Sequence, residues 1–167
     1  MSIRVEPRFT RDSDLAVAVV DDAAAESLVA ALIAAGFVLT RSLEQQALGR
    51  LAAVRLIPAG EPEEGIVIDL LFASSGIEPE ICRDAERLEI APGLTVPVAQ
   101  AGHLVAIKLL ALGPNRPQDG VDLRALVLQL TEEDRRRAVG AVALIDARGA
   151  SRGKALGAEL DRWLDGR

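Results

Sequence analysis

Several residue types are scarce in the sequence, and each scarcity excludes a class of protein. The chain has one cysteine, one histidine, one tryptophan, three phenylalanines and no tyrosine. A single cysteine, Cys82, cannot form an internal disulfide, and with His103 it makes neither a zinc site nor a convincing Cys–His nucleophile. So few aromatic side chains exclude a base-stacking platform as the main binding device. No apolar run approaches the roughly 18 residues of a membrane span, so we expect a cytoplasmic protein without membrane association.

The residues that are abundant indicate a globular protein. Of the 167 residues, 50% are hydrophobic and 26% are charged, which is enough apolar surface for a self-sufficient core. The net charge of −6 restricts any nucleic-acid contact to a local basic patch. Six basic residues in the C-terminal third are the best candidates for that patch: Arg135, Arg136, Arg137, Arg148, Arg152 and Lys154. The competing interpretation is that most of them belong to a solvated face.

Hydrophobic patterning divides the chain into two parts. In the first part we predict a strand buried on both faces at 13–20 and a helix at 23–35 that Gly36 ends. Further strands are predicted at 37–43, 51–57, 66–72, 88–90 and 94–98. The second part has helical spacing throughout, in blocks at 101–112, 117–130, 131–147 and 152–164. We therefore predict an α+β fold: a mixed, mostly antiparallel sheet with a packed helix over residues 1–100, then a helical C-terminal lobe over 101–167.

Three aspartates are the first candidates for chemistry. Asp12 and Asp14 open a predicted strand, and side chains two apart on a strand project from one face. Asp69 lies within the apolar run GIVIDLLFA, where a buried carboxylate needs a partner. Three such carboxylates would suit the divalent cations of phosphoryl and nucleotidyl transfer. The competing interpretations are turn or cap residues for the first two, and an ion pair with an arginine for Asp69.

A second candidate group lies in the helical part. Lys108 is the only cation in the apolar segment GHLVAIKLLALG, where it either balances acidic groups, holds a triphosphate or extends from a half-buried helix to solvent. Asp119 and Asp122 are three apart in RPQDGVDL and so share one helix face. Acidic residues are also favoured near a helix N-terminus, which explains Asp119 without any chemistry.

The order of these motifs resembles a known family. The segments RFTRDSDLAVAV, VIDLLF, HLVAIKLLAL and RPQDGVDLRAL are similar to those of nucleotidyltransferases of the AbiEii/AbiGii toxin type, over roughly residues 4 to 128. The resemblance implies a minimal polymerase β-like nucleotidyltransferase fold that uses Mg²⁺ or Mn²⁺ and a nucleoside triphosphate. It also implies a toxin with an antitoxin partner, and leaves the acceptor open among tRNA, protein and small molecules.

The resemblance also distributes roles among the candidate residues. It implies that Asp12, Asp14 and Asp69 are the catalytic metal ligands. The remaining matches are expected to bind the nucleotide or to support its binding: Arg8 and Thr10 of the R-x-T motif, Lys108 at the triphosphate, and Asp119 and Asp122 in the motif of the helical lobe.

One feature of the family pattern is missing from the segment before Arg8. Members place a Gly-Gly or Gly-Ser turn and its helix there, and backbone N–H groups of such a turn cradle phosphate. Here the residues before Arg8 are MSIRVEP. Either the turn lies upstream of the given start, or the chain is a truncated or degenerate, catalytically inactive binding protein of the same fold.

Overall fold

The computed structural model describes residues 11–45, 49–62, 65–114 and 117–166; Arg8 and Thr10 lie outside these ranges. The described residues form two compact units, which we name the sheet unit (11–74 with 78–82) and the helical unit (75–77 with 83–166). We predicted the two strands near 88–98 as part of the first part of the chain. In the structure they form a hairpin that packs within the helical unit. The boundary predicted at residue 100 stays a prediction.

The sheet unit is built on four strands in the order β1-β4-β3-β2. Strand β1 runs parallel to β4, whereas β3 is antiparallel to both β4 and β2. The mixed, mostly antiparallel sheet that we predicted is therefore confirmed. Its elements are β1 (Asp12–Ala16), α1 (Asp22–Ala34), β2 (Val38–Gln45), β3 (Arg50–Ile57) and β4 (Val67–Leu71), followed by α2 (Glu78–Arg83).

Helix α1 covers one face of this sheet. Its N-terminus is capped by the Asp21 carboxylate, which accepts a hydrogen bond from the backbone N–H of Ala24 at 2.8 Å. Just beyond its C-terminus Gly36 adopts φ +98°, a conformation that favours glycine, and the helix ends as the sequence predicts. Alternate residues of β3 and β4 meet the helix, so the core of the unit consists of Ala25, Val29, Val54, Leu56, Leu70 and Phe72.

Strand β1 differs from its prediction in length and in burial. The apolar sequence of 13–20 suggests a strand buried on both faces, but β1 ends at Ala16 and Asp12 to Leu15 are exposed. The reason is its position at the edge of the sheet, where it pairs only with β4. Its ladder ends with a hydrogen bond from the Val17 N–H to the carbonyl of Leu71, the last residue of β4.

The helical unit begins with a hairpin and continues with four helices. Its elements are β5 (Glu86–Ala91), β6 (Leu94–Val98), α3 (Ala101–Ala111), α4 (Pro117–Val127), α5 (Glu132–Ala147) and α6 (Leu156–Leu164). Helix α4 begins at Pro117, and Thr131 and Asp134 form a capping box at the start of α5. The predicted helical lobe is therefore confirmed, whereas the short helix α2 was not predicted.

Helices α3 and α5 approach each other closely at a glycine. A Cβ added at Gly102 would lie 2.4 Å from the carbonyl oxygen of Asp134 and 2.8 Å from the Cβ of Arg137. Both distances are far below van der Waals contact, and backbone atoms cannot move aside as a flexible side chain does. Gly102 therefore fixes how closely the backbones of α3 and α5 can approach.

Replacing this glycine by alanine tests the packing. Gly102→Ala should lower the free energy of unfolding by about 1 to 3 kcal/mol, since an overpacked contact forces the helices apart. The matched control is Gly140→Ala in α5, where an added Cβ meets nothing within 4 Å. That change should raise stability by up to about 1 kcal/mol through helix propensity alone. Urea unfolding of the two variants measures both effects, and equal stabilities would contradict the close approach.

Candidate active site

The face of the sheet opposite α1 carries a row of charged side chains, one from each strand. Asp14 on β1 is in register with Asp69 on β4, Asp69 with Arg55 on β3, and Arg55 with Arg41 on β2. Residues in register on neighbouring strands project from the same face. Asp12 lies two residues before Asp14 and shares that face. The fold thus brings the three predicted carboxylates to one side of the sheet and places two arginines beside them.

Arg55 and Asp69 form a bidentate ion pair. The Nε of Arg55 donates to Oδ1 of Asp69 at 2.8 Å, and Nη2 donates to Oδ2 at 2.6 Å. The hydrogen bonds with Asp69, and the charges of Asp69, Asp12 and Asp14, raise the pKa of the Arg55 guanidinium despite its partial burial. The arginine partner that we weighed for Asp69 is therefore present, and it is a counter-ion for all three carboxylates.

The donor set suits Mg²⁺ in its chemistry, with a constraint at Asp69. Magnesium binds hard oxygen ligands and commonly takes one or two carboxylates, which Asp12 and Asp14 supply on one strand. Both oxygens of Asp69 already accept hydrogen bonds, although each keeps a second lone pair. Among the described residues no group of three or more His, Cys, Asp and Glu side chains is gathered closely enough to hold a metal ion. The metal role of the three aspartates stays a prediction.

Lys108 of α3 joins two carboxylates of α4 in the helical unit. Its Nζ lies 2.6 Å from Oδ1 of Asp119 and 3.2 Å from Oδ2 of Asp122. The other oxygen of Asp122 accepts from Nε2 of Gln118 at 3.0 Å. Both aspartates are buried, so the ammonium offsets the cost of removing two negative charges from water. Lys108 therefore pairs with acidic groups instead of extending freely to solvent, and its contact with a triphosphate stays a prediction.

Most of the basic candidates in the C-terminal third make internal bonds. Arg136 and Arg137 pair with Glu133, and Nη1 of Arg148 donates to the carbonyl oxygen of Gly76. The Nζ of Lys154 donates to the carbonyl oxygens of Leu109, Leu110 and Leu112 at the end of α3, and burial lowers its pKa. The bonds of Lys154 and Arg148 join separate segments of the helical unit, whereas the exposed pair of Arg136 with Glu133 adds little to stability.

Cys82 is partly buried in the sheet unit. Its Sγ donates to the carbonyl oxygen of Ala16 at 3.3 Å, and burial raises the pKa of the thiol. A thiol that resists ionisation is a poor nucleophile. His103 is buried in α3, with its Nε2 3.9 Å from Oδ2 of Asp84.

The two arginines of the row are the residues that we did not predict. Arg55 is a lone cation in LAAVRLI, just as Asp69 is a lone anion in VIDLLF. The same argument about a buried charge that needs a partner applies to both, so Arg55 was detectable from the sequence. Arg41 could not be predicted in this way, because its neighbours in the sequence are polar. Its position beside Arg55 follows only from the register of β2 with β3.

Comparison with known protein families shows which family the chain belongs to. The model of the family described as "Nucleotidyl transferase AbiEii toxin, Type IV TA system" matches residues 1–165. The chain belongs to this family. No curated protein matches the chain significantly. The AbiEii match confirms the resemblance drawn from the four sequence segments, and it covers both units of the structure. Within the described residues of this AbiEii-family chain, no helix is both long and apolar enough to cross a membrane.

The balance of charge around Lys108 can be tested by a mutant cycle. Lys108→Met should lower the free energy of unfolding by about 3 to 5 kcal/mol, because it removes the ammonium that pairs with two buried carboxylates. Adding Asp119→Asn to that variant should restore part of the loss, because it removes one of the two negative charges that faced the ammonium. Thermal or urea unfolding of the two single variants and the double variant gives the coupling. Strict additivity would show that the pair contributes nothing to stability.

Proposed function

We propose that this chain is a Mg²⁺-dependent nucleotidyltransferase that transfers a nucleotidyl group from a nucleoside triphosphate to an acceptor, as the toxin of a toxin–antitoxin pair. The observation that carries the proposal is the register of Asp14 with Asp69 across parallel strands, with Asp12 on the same face. Membership of the AbiEii family supports the reaction class and the antitoxin partner. The acceptor classes are tRNA, protein and small molecules.

The proposed reaction has a simple balance. An acceptor oxygen or nitrogen forms a bond to the α-phosphorus while the bond from that phosphorus to the bridging oxygen breaks, and pyrophosphate leaves. The acceptor loses one proton. Asp12, Asp14 and Asp69 would hold the ion, which when bound supplies positive charge to the phosphate oxygens. Arg55 keeps the Asp69 carboxylate in one orientation, so that little side-chain freedom is lost when a ligand binds.

Lys108 is proposed to contact the triphosphate, as the family resemblance implies. Its ammonium has three N–H donors, and Asp119 and Asp122 accept two of them. The third donor makes no hydrogen bond within the part of the chain that the structure describes. An ammonium held at a fixed position by two carboxylates binds a further anion with little loss of side-chain entropy.

A second candidate function has its own supporting observation. The bidentate bond with Arg55 already neutralises Asp69, so the carboxylate face is compatible with a protein that never binds metal. In that case the chain is a catalytically inactive, nucleotidyltransferase-like binding protein. The two candidates differ in metal binding and in transfer, and both properties can be measured.

Metal binding is tested by thermal shift. Saturating Mg²⁺ or Mn²⁺ should raise the melting temperature, because a ligand at a hundred times its Kd adds about 2.7 kcal/mol. Asp14→Asn and Asp69→Asn should each remove that shift. The matched control is Glu44→Gln on the exposed strand β2 of the same sheet, which should keep it. An equal shift in Asp69→Asn and in the unchanged protein would exclude Asp69 as a ligand.

Transfer is tested with labelled nucleotides. The protein is incubated with Mg²⁺, with each nucleoside triphosphate labelled at the α-phosphorus, and with tRNA or with total protein as the acceptor. The nucleotidyltransferase proposal expects label on an acceptor, and a loss of at least about a hundredfold in Asp14→Asn, since lost metal charge costs several kcal/mol at the transition state. Metal binding without label on either acceptor leaves small molecules as the acceptor class to assay. Absence of both shift and label supports the inactive binding protein.

A further inference from the structure

The charged row across the sheet has a positive half that the proposed metal site does not use. In strand order the row reads Arg41, Arg55, Asp69 and Asp14, so two cations lie side by side on β2 and β3. Like charges directly opposite each other on neighbouring strands destabilise a sheet. Asp69 compensates Arg55, but a second arginine in the same row has a cost that needs a reason.

Arg41 is available to a ligand. It is exposed on the edge strand β2, and its guanidinium makes no hydrogen bond or ion pair with the residues that the structure describes. Its register partner Arg55 is directly opposite on the same face. The guanidinium of Arg41 therefore keeps its whole set of N–H donors beside a second positive charge.

Arg55 offers a fixed donor at the same place. Its Nε and Nη2 are bonded to Asp69, so the guanidinium plane is held, while Nη1 makes no hydrogen bond to any described residue. A planar guanidinium presents its remaining N–H groups in a geometry that matches phosphate oxygens. Because Asp69 already restrains this side chain, a bound anion would cost it little further entropy.

We propose that Arg41 and Arg55 together bind a phosphate group of the substrate. This proposal rests on the proposed function for its setting, because the phosphate belongs either to the nucleoside triphosphate or to the backbone of a nucleic-acid acceptor. Neighbouring strands lie roughly 4.8 Å apart, so the row extends on the order of 14 Å from Arg41 to Asp14. A ligand with several phosphates can thus meet the arginines at one end and a metal held by the carboxylates at the other.

The test is a binding measurement that needs no turnover. The full chain is titrated in Mg²⁺ with inorganic tripolyphosphate, which represents the nucleotide, and with a short single-stranded oligoribonucleotide, which represents a nucleic-acid acceptor. Arg41→Gln should weaken binding of one probe by about tenfold, the equivalent of one charge-assisted hydrogen bond. Arg41→Lys should give a smaller loss, since it keeps the charge but not the planar donors. The weakened probe identifies the source of the phosphate.

The control removes a positive charge elsewhere. Arg87 is exposed on β5, and Arg87→Gln should leave the affinity for both probes unchanged. Equal affinities in Arg41→Gln and in the unchanged protein, equal weakening in Arg87→Gln, or no binding of either probe would overturn the proposal. Transfer activity with no effect of Arg41→Gln on binding refutes the phosphate site alone. Phosphate binding that depends on Arg41, without transfer to any of the three acceptor classes, refutes the enzymatic proposal alone.

Discussion

The parallel pairing of β1 with β4 is the constraint on which the candidate site depends. Side chains alternate between the two faces of a strand, so a shift of one residue would send Asp14 to the side of α1 and leave Asp69 without it. The core supports this register from both sides: Leu70 and Phe72 pack towards α1 so that Asp69 faces away, and Val17, three residues after Asp14, packs against the same core. The apolar packing on one face therefore dictates the arrangement of charge on the other.

Arg55 connects this arrangement to stability. Three carboxylates on one face repel one another, and a protein without a counter-ion would meet that cost whenever no metal is bound. The bidentate bond to Asp69 supplies a positive charge from within the sheet. Neutralising Asp69 by mutation therefore relieves repulsion but also removes the partner of Arg55. In the helical unit the repulsion between Asp119 and Asp122 is reduced by one ammonium, that of Lys108, which pairs with both carboxylates.

Much of the fold follows from local sequence signals, and the exceptions have physical reasons. Apolar runs and helical spacing located every strand of both sheets and five of the six helices, all except α2. Composition overstated the burial of β1, since an apolar sequence does not show that a strand lies at a sheet edge. Helix α2 has six residues, too few for a periodic pattern.

The candidate site was predictable to the extent that it lies in motifs. Asp12, Asp14 and Asp69 stand out because carboxylates are unusual beside such apolar runs, and Lys108 stands out for the same reason. Their partners depend on which strands and helices become neighbours. The pairing of Asp69 with Arg55 spans two antiparallel strands, and the place of Arg41 depends on a register that contains an irregularity next to it. No local pattern encodes that register.

The use of lysine in this chain has a consequence for its covalent chemistry. Only two of its 19 lysine and arginine residues are lysines, Lys108 and Lys154. Both ε-amines are hydrogen-bonded inside the helical unit, one to carboxylates and the other to the last carbonyl oxygens of α3. Acetylating enzymes and amine-reactive cross-linkers thus find no freely solvated lysine among the described residues. Any such modification would remove a positive charge that is hydrogen-bonded within the helical unit. The arginine side chains would keep their charge.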